Sequence, residues 1–114
     1  MSKRSLLALL GLALTTAPLT VVTVGVAGAA GTRTVTLKNI DFSPRSLKIS
    51  RGSKVAFAFR DGGTTHNVTS TGGRRFRTVG NRSSGSPSRT FARAGTYRYE
   101  CTLHPGMTGR IIIH

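Results

Sequence analysis

The chain has 114 residues, with 17 Lys or Arg against 3 Asp or Glu, for a formal net charge of +14. That length allows one domain and excludes a multidomain enzyme, while five Phe, two Tyr and a scatter of Val and Thr are not the composition of a disordered tail. A single cysteine, Cys101, excludes an intrachain disulfide and an all-cysteine metal knuckle.

At the N-terminus Lys3 and Arg4 precede the apolar run Leu6 to Leu14 and a second apolar stretch from Val21 to Ala27, followed by the small residues Ala27-Gly28-Ala29. This is the pattern of a secretory signal over residues 1–29, cleaved to leave a domain of residues 30–114. The competing reading is an uncleaved anchor. Ser5 to Gly31 carries no charge, although Pro18 and several Thr and Gly weaken it as a membrane span. Either reading places the domain outside the cytoplasm: periplasmic, in the cell envelope, or secreted.

From Thr32 onward short apolar alternations are broken by Gly, Pro, Asp and Ser. Val35 and Leu37 alternate with polar residues, as do Leu47 and Ile49; Gly52 then turns the chain into Val55, Phe57 and Phe59 at period two. A Gly62-Gly63 turn precedes the segment His66 to Ser70, and Gly72-Gly73 leads into Phe76, Arg77 and Thr78. Gly80 to Ser88, rich in Ser and Gly with Pro87, is expected to be a loop. Arg89 to Ala92 is expected to be a short strand, and Gly95 a turn. Tyr97, Tyr99 and Cys101 then share one face of a strand, Arg98 and Glu100 the other. Ile111 to Ile113 reads as a final core strand. Seven or eight short strands at about ten-residue spacing predict an all-β Greek-key sandwich or barrel.

The chemistry concentrates in Cys101-Thr102-Leu103-His104-Pro105-Gly106-Met107, where a thiol, an imidazole and a thioether recur every third residue. From composition alone, His at +3 and Met at +6 from a given Cys arises about once in 2,000 trials, so coincidence explains it poorly. Singly, a buried Cys is more often an inert small hydrophobe and a Met more often core packing. Together in a tight loop they can surround one metal ion, and soft sulfur with imidazole selects copper over Mg, Ca or Mn. A free thiol in an exported protein is otherwise a liability to oxidation, and metal ligation gives it a purpose. The second imidazole is expected from His66, completing a His2Cys plane with a weak axial Met107.

On these residues the chain resembles the cupredoxins, the type 1 blue copper proteins, and most nearly their plastocyanin and amicyanin branch. The resemblance spans nearly all of residues 30–114. It rests on Phe42-Ser43-Pro44, Leu47-x-Ile49, Gly52-x-x-Val55, the Asp61 loop, His66-Asn67-Val68, and Gly95-Thr96-Tyr97-x-Tyr99-x-Cys101-x-x-His104-Pro105-Gly106-Met107-x-Gly109. The two residues between His104 and Met107 resemble amicyanin, whereas plastocyanins and pseudoazurins carry longer gaps. The resemblance implies His66, Cys101, His104 and Met107 as ligands of a single type 1 copper ion. It also implies that Asn67, the residue after the first histidine, ties the two ligand loops together and donates its amide to the cysteine sulfur. Asn67-Val68-Thr69 and Asn81-Arg82-Ser83 match the glycosylation sequon, a weak pattern here, and His114 is expected to be only an exposed terminal residue.

The function this implies is a one-electron carrier and not an enzyme, since no general base, second metal or open coordination position is evident in the sequence. The alternative from another class is an extracytoplasmic copper chaperone or buffer that hands the metal on without cycling its oxidation state. A third reading makes the domain a binder of anionic polymers with a vestigial metal site. Residues 30–114 keep 15 of the 17 basic residues and all 3 acids, a net charge of +12. Spread singly and exported, these bases match no nucleic-acid motif. They point to an acidic redox partner, with an anionic envelope surface as a further expectation, and the protein is expected to be a monomer.

Overall fold

The alternating segments form nine strands in a computed structural model that describes residues 30–114; the expected signal or anchor, residues 1–29, lies outside the described residues. They are β1 (Thr32–Leu37), β2 (Phe42–Ser43), β3 (Ser46–Ile49), β4 (Ser53–Phe59), β5 (His66–Gly73), β6 (Val79–Arg82), β7 (Ser88–Phe91), β8 (Gly95–Glu100) and β9 (Thr108–Ile113). One sheet has the order β2-β1-β4-β7 and the other β3-β9-β8-β5-β6. β1 runs parallel to β4 and β3 parallel to β9, with every other pairing antiparallel.

The longer strands present their alternate apolar residues to the space between the sheets, which is what a period-two pattern dictates. Val35 and Leu37 from β1, Val55 and Phe57 from β4, Tyr99 from β8 and Ile111 from β9 are essentially excluded from solvent. Such burial is worth about 1.5–3 kcal/mol for each large apolar side chain. Aromatic edges join the two sheets: Tyr99 meets Phe57 with ring centroids 5.6 Å apart and Phe42 at 4.8 Å, and Phe91 meets Tyr97 at 4.9 Å.

Two local expectations change. Gly80 to Arg82, read as loop, belong to β6, which pairs along the outer edge of β5 through His66↔Arg82 and Val68↔Val79 with a bulge between. Only Val79 of that strand is buried, so an edge position leaves almost no apolar alternation to read. The two-residue β2 is too short for any periodicity, and with β6 it raises the strand count to nine among the described residues. Phe76, in the connection between β5 and β6, is half-buried against the core beside Phe91, 5.4 Å between centroids.

The topology gathers the chemistry at one end. Thr69↔Glu100 places the start of β5 beside the finish of β8, and the parallel register Leu37↔Phe59 brings β1 and β4 to a common finish. Hydrogen bonds from the backbone amides of Asn39 and Ile40 to the Asp61 carboxylate join the loops that follow those two strands.

Candidate metal centre

His66 opens β5 and is fully buried; Cys101, 3% exposed, follows the last residue of β8. The segment after it folds back on itself: the Cys101 amide donates to the Met107 carbonyl at 2.9 Å, and the Met107 amide to the His104 carbonyl at 3.1 Å. Gly106 supplies the turn, with φ at +87°, a conformation a side chain rarely adopts. The closure fixes Cys101, His104 and the buried Met107 in one short loop, as their three-residue spacing anticipates.

One donor atom each from His66, Cys101 and His104 lie within 4.8 Å of one another. Cys101 Sγ is 3.8 Å from His66 Nδ1, and the two imidazole rings meet at 60° with centroids 4.7 Å apart. The far nitrogen of each ring is already engaged. His66 Nε2 lies 2.8 Å from an Asp61 carboxylate oxygen, and His104 Nε2 lies 3.2 Å from the Thr65 carbonyl. Carboxylate and carbonyl oxygens only accept, so each Nε2 carries a proton, and in the neutral ring each Nδ1 keeps its lone pair. Two imidazole lone pairs, a buried thiol and a buried thioether are a donor set for a soft or borderline ion; copper fits it, and an oxygen-seeking cation such as Mg or Ca does not.

Asp61 is the residue whose role the sequence did not disclose. Besides His66 it accepts the backbone amides of Asn39 and Ile40, each at 3.0 Å, and its carboxyl is held below the usual carboxylate range. The Ile40 amide contributes most, then the His66 ring, with the Asn39 amide adding to them against partial burial. Asn39 and Ile40 both have φ at +55°. For β-branched Ile40 that conformation costs on the order of 1–3 kcal/mol, retained because it aims two consecutive amides at one carboxylate. An available signal was that one of only three acids in the chain stands five residues before a candidate ligand.

Asn67, buried after His66, ties the ligand loops with its side chain. Its Oδ1 accepts the Thr102 amide at 3.1 Å and the Thr69 hydroxyl at 2.7 Å, while its Nδ2 donates to Thr102 Oγ1 at 2.8 Å and Asn81 Oδ1 at 3.0 Å. The expected tie is therefore made, with Thr102 and Asn81 as partners that the sequence did not single out. A bond from the Asn67 amide to the cysteine sulfur is not among those of the described residues. Both asparagines of the sequons take part in this network, buried Asn67 with its whole side-chain amide and exposed Asn81 through Oδ1. His114 is exposed, as expected.

A family model described as a cupredoxin-like domain matches residues 6–113. Among solved structures, a Cu(I) form of a mutant of amicyanin is 28% identical, covers 75% of this chain and 85% of its own, and superposes with a TM-score of 0.66. A purple cupredoxin from Nitrosopumilus maritimus is 22% identical over 72% of this chain and 99% of its own, with a TM-score of 0.64. A pseudoazurin from Sinorhizobium meliloti is 22% identical over 74% of each chain, with a TM-score of 0.61. A search of curated proteins by sequence gives no significant match.

Proposed function

The chain belongs to the cupredoxin-like family, and we propose that it is an exported one-electron carrier in which His66, Cys101, His104 and Met107 hold a single type 1 copper ion. The observation that carries this reading is the convergence of His66, Cys101 and His104 within 4.8 Å, with both imidazoles already oriented by Asp61 and Thr65. Copper bound there supplies a reversible one-electron change between Cu(I) and Cu(II).

The rest is the work of the chain. Buried His66, Cys101 and Met107 exclude water from three of the donors, and the Asp61 and Asn67 bonds hold the loops in one arrangement whatever the electron count. A site that moves little between oxidation states has little reorganisation to overcome. His104 is only half-buried, flanked by exposed Leu103, Pro105 and Gly106, so its ring edge is the natural point of electron entry and exit. Four protein donors occupy the site, which favours a carrier over an enzyme.

The partner is a redox protein of acidic surface, met by a monomer outside the cytoplasm and steered by the net charge of +12 on residues 30–114. The test is to add Cu(II) to the protein and to Cys101→Ser. An intense visible absorption that bleaches with mild reductant, returns on reoxidation and is lost in the variant is expected. A colourless product overturns the ligand set. Reversible voltammetry with fast self-exchange separates a carrier from a copper buffer, which would release its metal to an acceptor and cycle poorly.

A further inference from the structure

We propose that Asp61 is a positioning residue for this centre: its carboxylate takes the His66 Nε2 proton in a hydrogen bond and thereby locks the ring in the tautomer whose Nδ1 lone pair faces Cys101. The inference rests on the reading of His66 as a ligand and adds the residue that makes it one.

The geometry is specific. Asp61 Oδ2 accepts both His66 Nε2 at 2.8 Å and the Ile40 amide at 3.0 Å, while Oδ1 accepts the Asn39 amide at 3.0 Å. Three donors thus converge on two oxygens, which only an acceptor-only side chain satisfies completely. A carboxamide in the same place turns an N–H toward Asn39 or toward the pair formed by Ile40 and His66; either way a donor meets a donor. His66 is fully buried, so no solvent is at hand to replace the bond. Nδ1 stands 3.8 Å from Cys101 Sγ, and a proton placed there instead would occupy the face on which the other donors converge. A carboxylate behind a ligating imidazole also raises its basicity, and its negative charge favours the more highly charged Cu(II) over Cu(I).

The first test uses the metal-free protein at pH 8, with ¹⁵N NMR of the His66 ring. The proton is expected on Nε2 in the wild type, and on Nδ1 in at least part of the population in Asp61→Asn and Asp61→Ala. The second measures Cu(II) and Cu(I) affinity by competition. Asp61→Ala is expected to bind Cu(II) about 10–100-fold more weakly, and a tenfold fall in the Cu(II)/Cu(I) affinity ratio raises the potential by about 59 mV. Asp61→Glu restores part of both. A wild-type ring protonated on Nδ1 overturns the proposal without recourse to any variant, as does a folded Asp61→Ala with unchanged tautomer and potential. If Cu(II) leaves the wild-type His66 signals untouched, the ligand reading has failed and the proposal falls with it. If Cu(II) shifts them while the Asp61 variants match the wild type, only the positioning role has failed.

Discussion

Tyr99 is the large side chain whose chemistry is unfinished. It is 1% exposed, sits edge-on between Phe42 and Phe57, and its hydroxyl finds no hydrogen-bond partner. Leaving a buried hydroxyl unpaired costs about 1–3 kcal/mol, so Tyr99→Phe is expected to raise stability by about 1 kcal/mol, measured as a higher denaturant midpoint at unchanged slope. Burial also pushes the Tyr99 hydroxyl above its ordinary value of 10. The unfolded chain then loses this proton near pH 10 while the folded one retains it, so the contribution is intact below pH 10 and stability falls by about 1.4 kcal/mol per pH unit above it. Tyr99→Phe is expected to remove that one-proton slope; an identical alkaline profile in both proteins would refute it. Asn67 is the opposite case, with all its side-chain hydrogen-bonding capacity spent. Asn67→Ala strands the Thr102 amide and is expected to cost about 1–3 kcal/mol, seen as a lower melting temperature. The inward side of Tyr99 and the importance of Asn67 were legible from alternation and from position beside His66. Their partners were not, because Thr102 and Asn81 reach Asn67 across 35 and 14 residues of sequence.

Between strands, one close dependence is of β9 on β8. Gly109 lies opposite Tyr99, and a Cβ there would stand 2.7 Å from the Tyr99 Cε1, Cζ and hydroxyl. The ring is rigid and packed on three other aromatics, so it has little room to withdraw. Gly109→Ala is expected to destabilise by about 1–3 kcal/mol, the cost of overpacking. In a Tyr99→Leu background, where the ring is gone, the same substitution should cost much less; equal penalties in both backgrounds would show that the ring is not the obstacle. The central strands were readable because both sheets bury one face of each, and Val55, Phe57, Tyr97 and Tyr99 keep strict alternation. β6 was not, since an edge strand with three exposed residues after Val79 carries the composition of a loop. The cluster at the metal end was legible for a different reason. Cys101, His104 and Met107 are local to one short loop, and the pairing of β5 with β8 that delivers His66 to it follows from the sandwich itself.

At the scale of the whole domain, charge is distributed unevenly. Asp41 and Asp61 lie in loops at the metal end and Glu100 immediately precedes Cys101, so all three acids fall in that half. The other end carries Arg33 at the start of β1, Arg51 and Lys54 around the turn into β4, and Arg74 and Arg93 near the turn into β8, with no acid among them. The acidic partner proposed above would be drawn by the net charge of +12 on residues 30–114, but the metal end, where Lys38, Arg45, Arg60 and Arg82 stand against those three acids, would be the less attractive pole. Long-range attraction of this kind acts on the encounter rate and is screened over about 10 Å at 0.1 M salt. Electron transfer to an acidic redox protein, followed by rapid mixing, is expected to slow as ionic strength rises. Glu100→Gln, one position from a proposed ligand but on the outer face of β8, should quicken the low-salt rate severalfold by making the metal end more positive, and the two proteins should converge at high salt. A rate that rises with salt would mean that repulsion by the acids at the metal end, and not attraction by the net charge, governs the encounter. A rate indifferent to both salt and Glu100 would place recognition in the short-range contacts around Leu103 and Ile40, the two large hydrophobic side chains left exposed among the described residues, and would leave the positive charge to some other task.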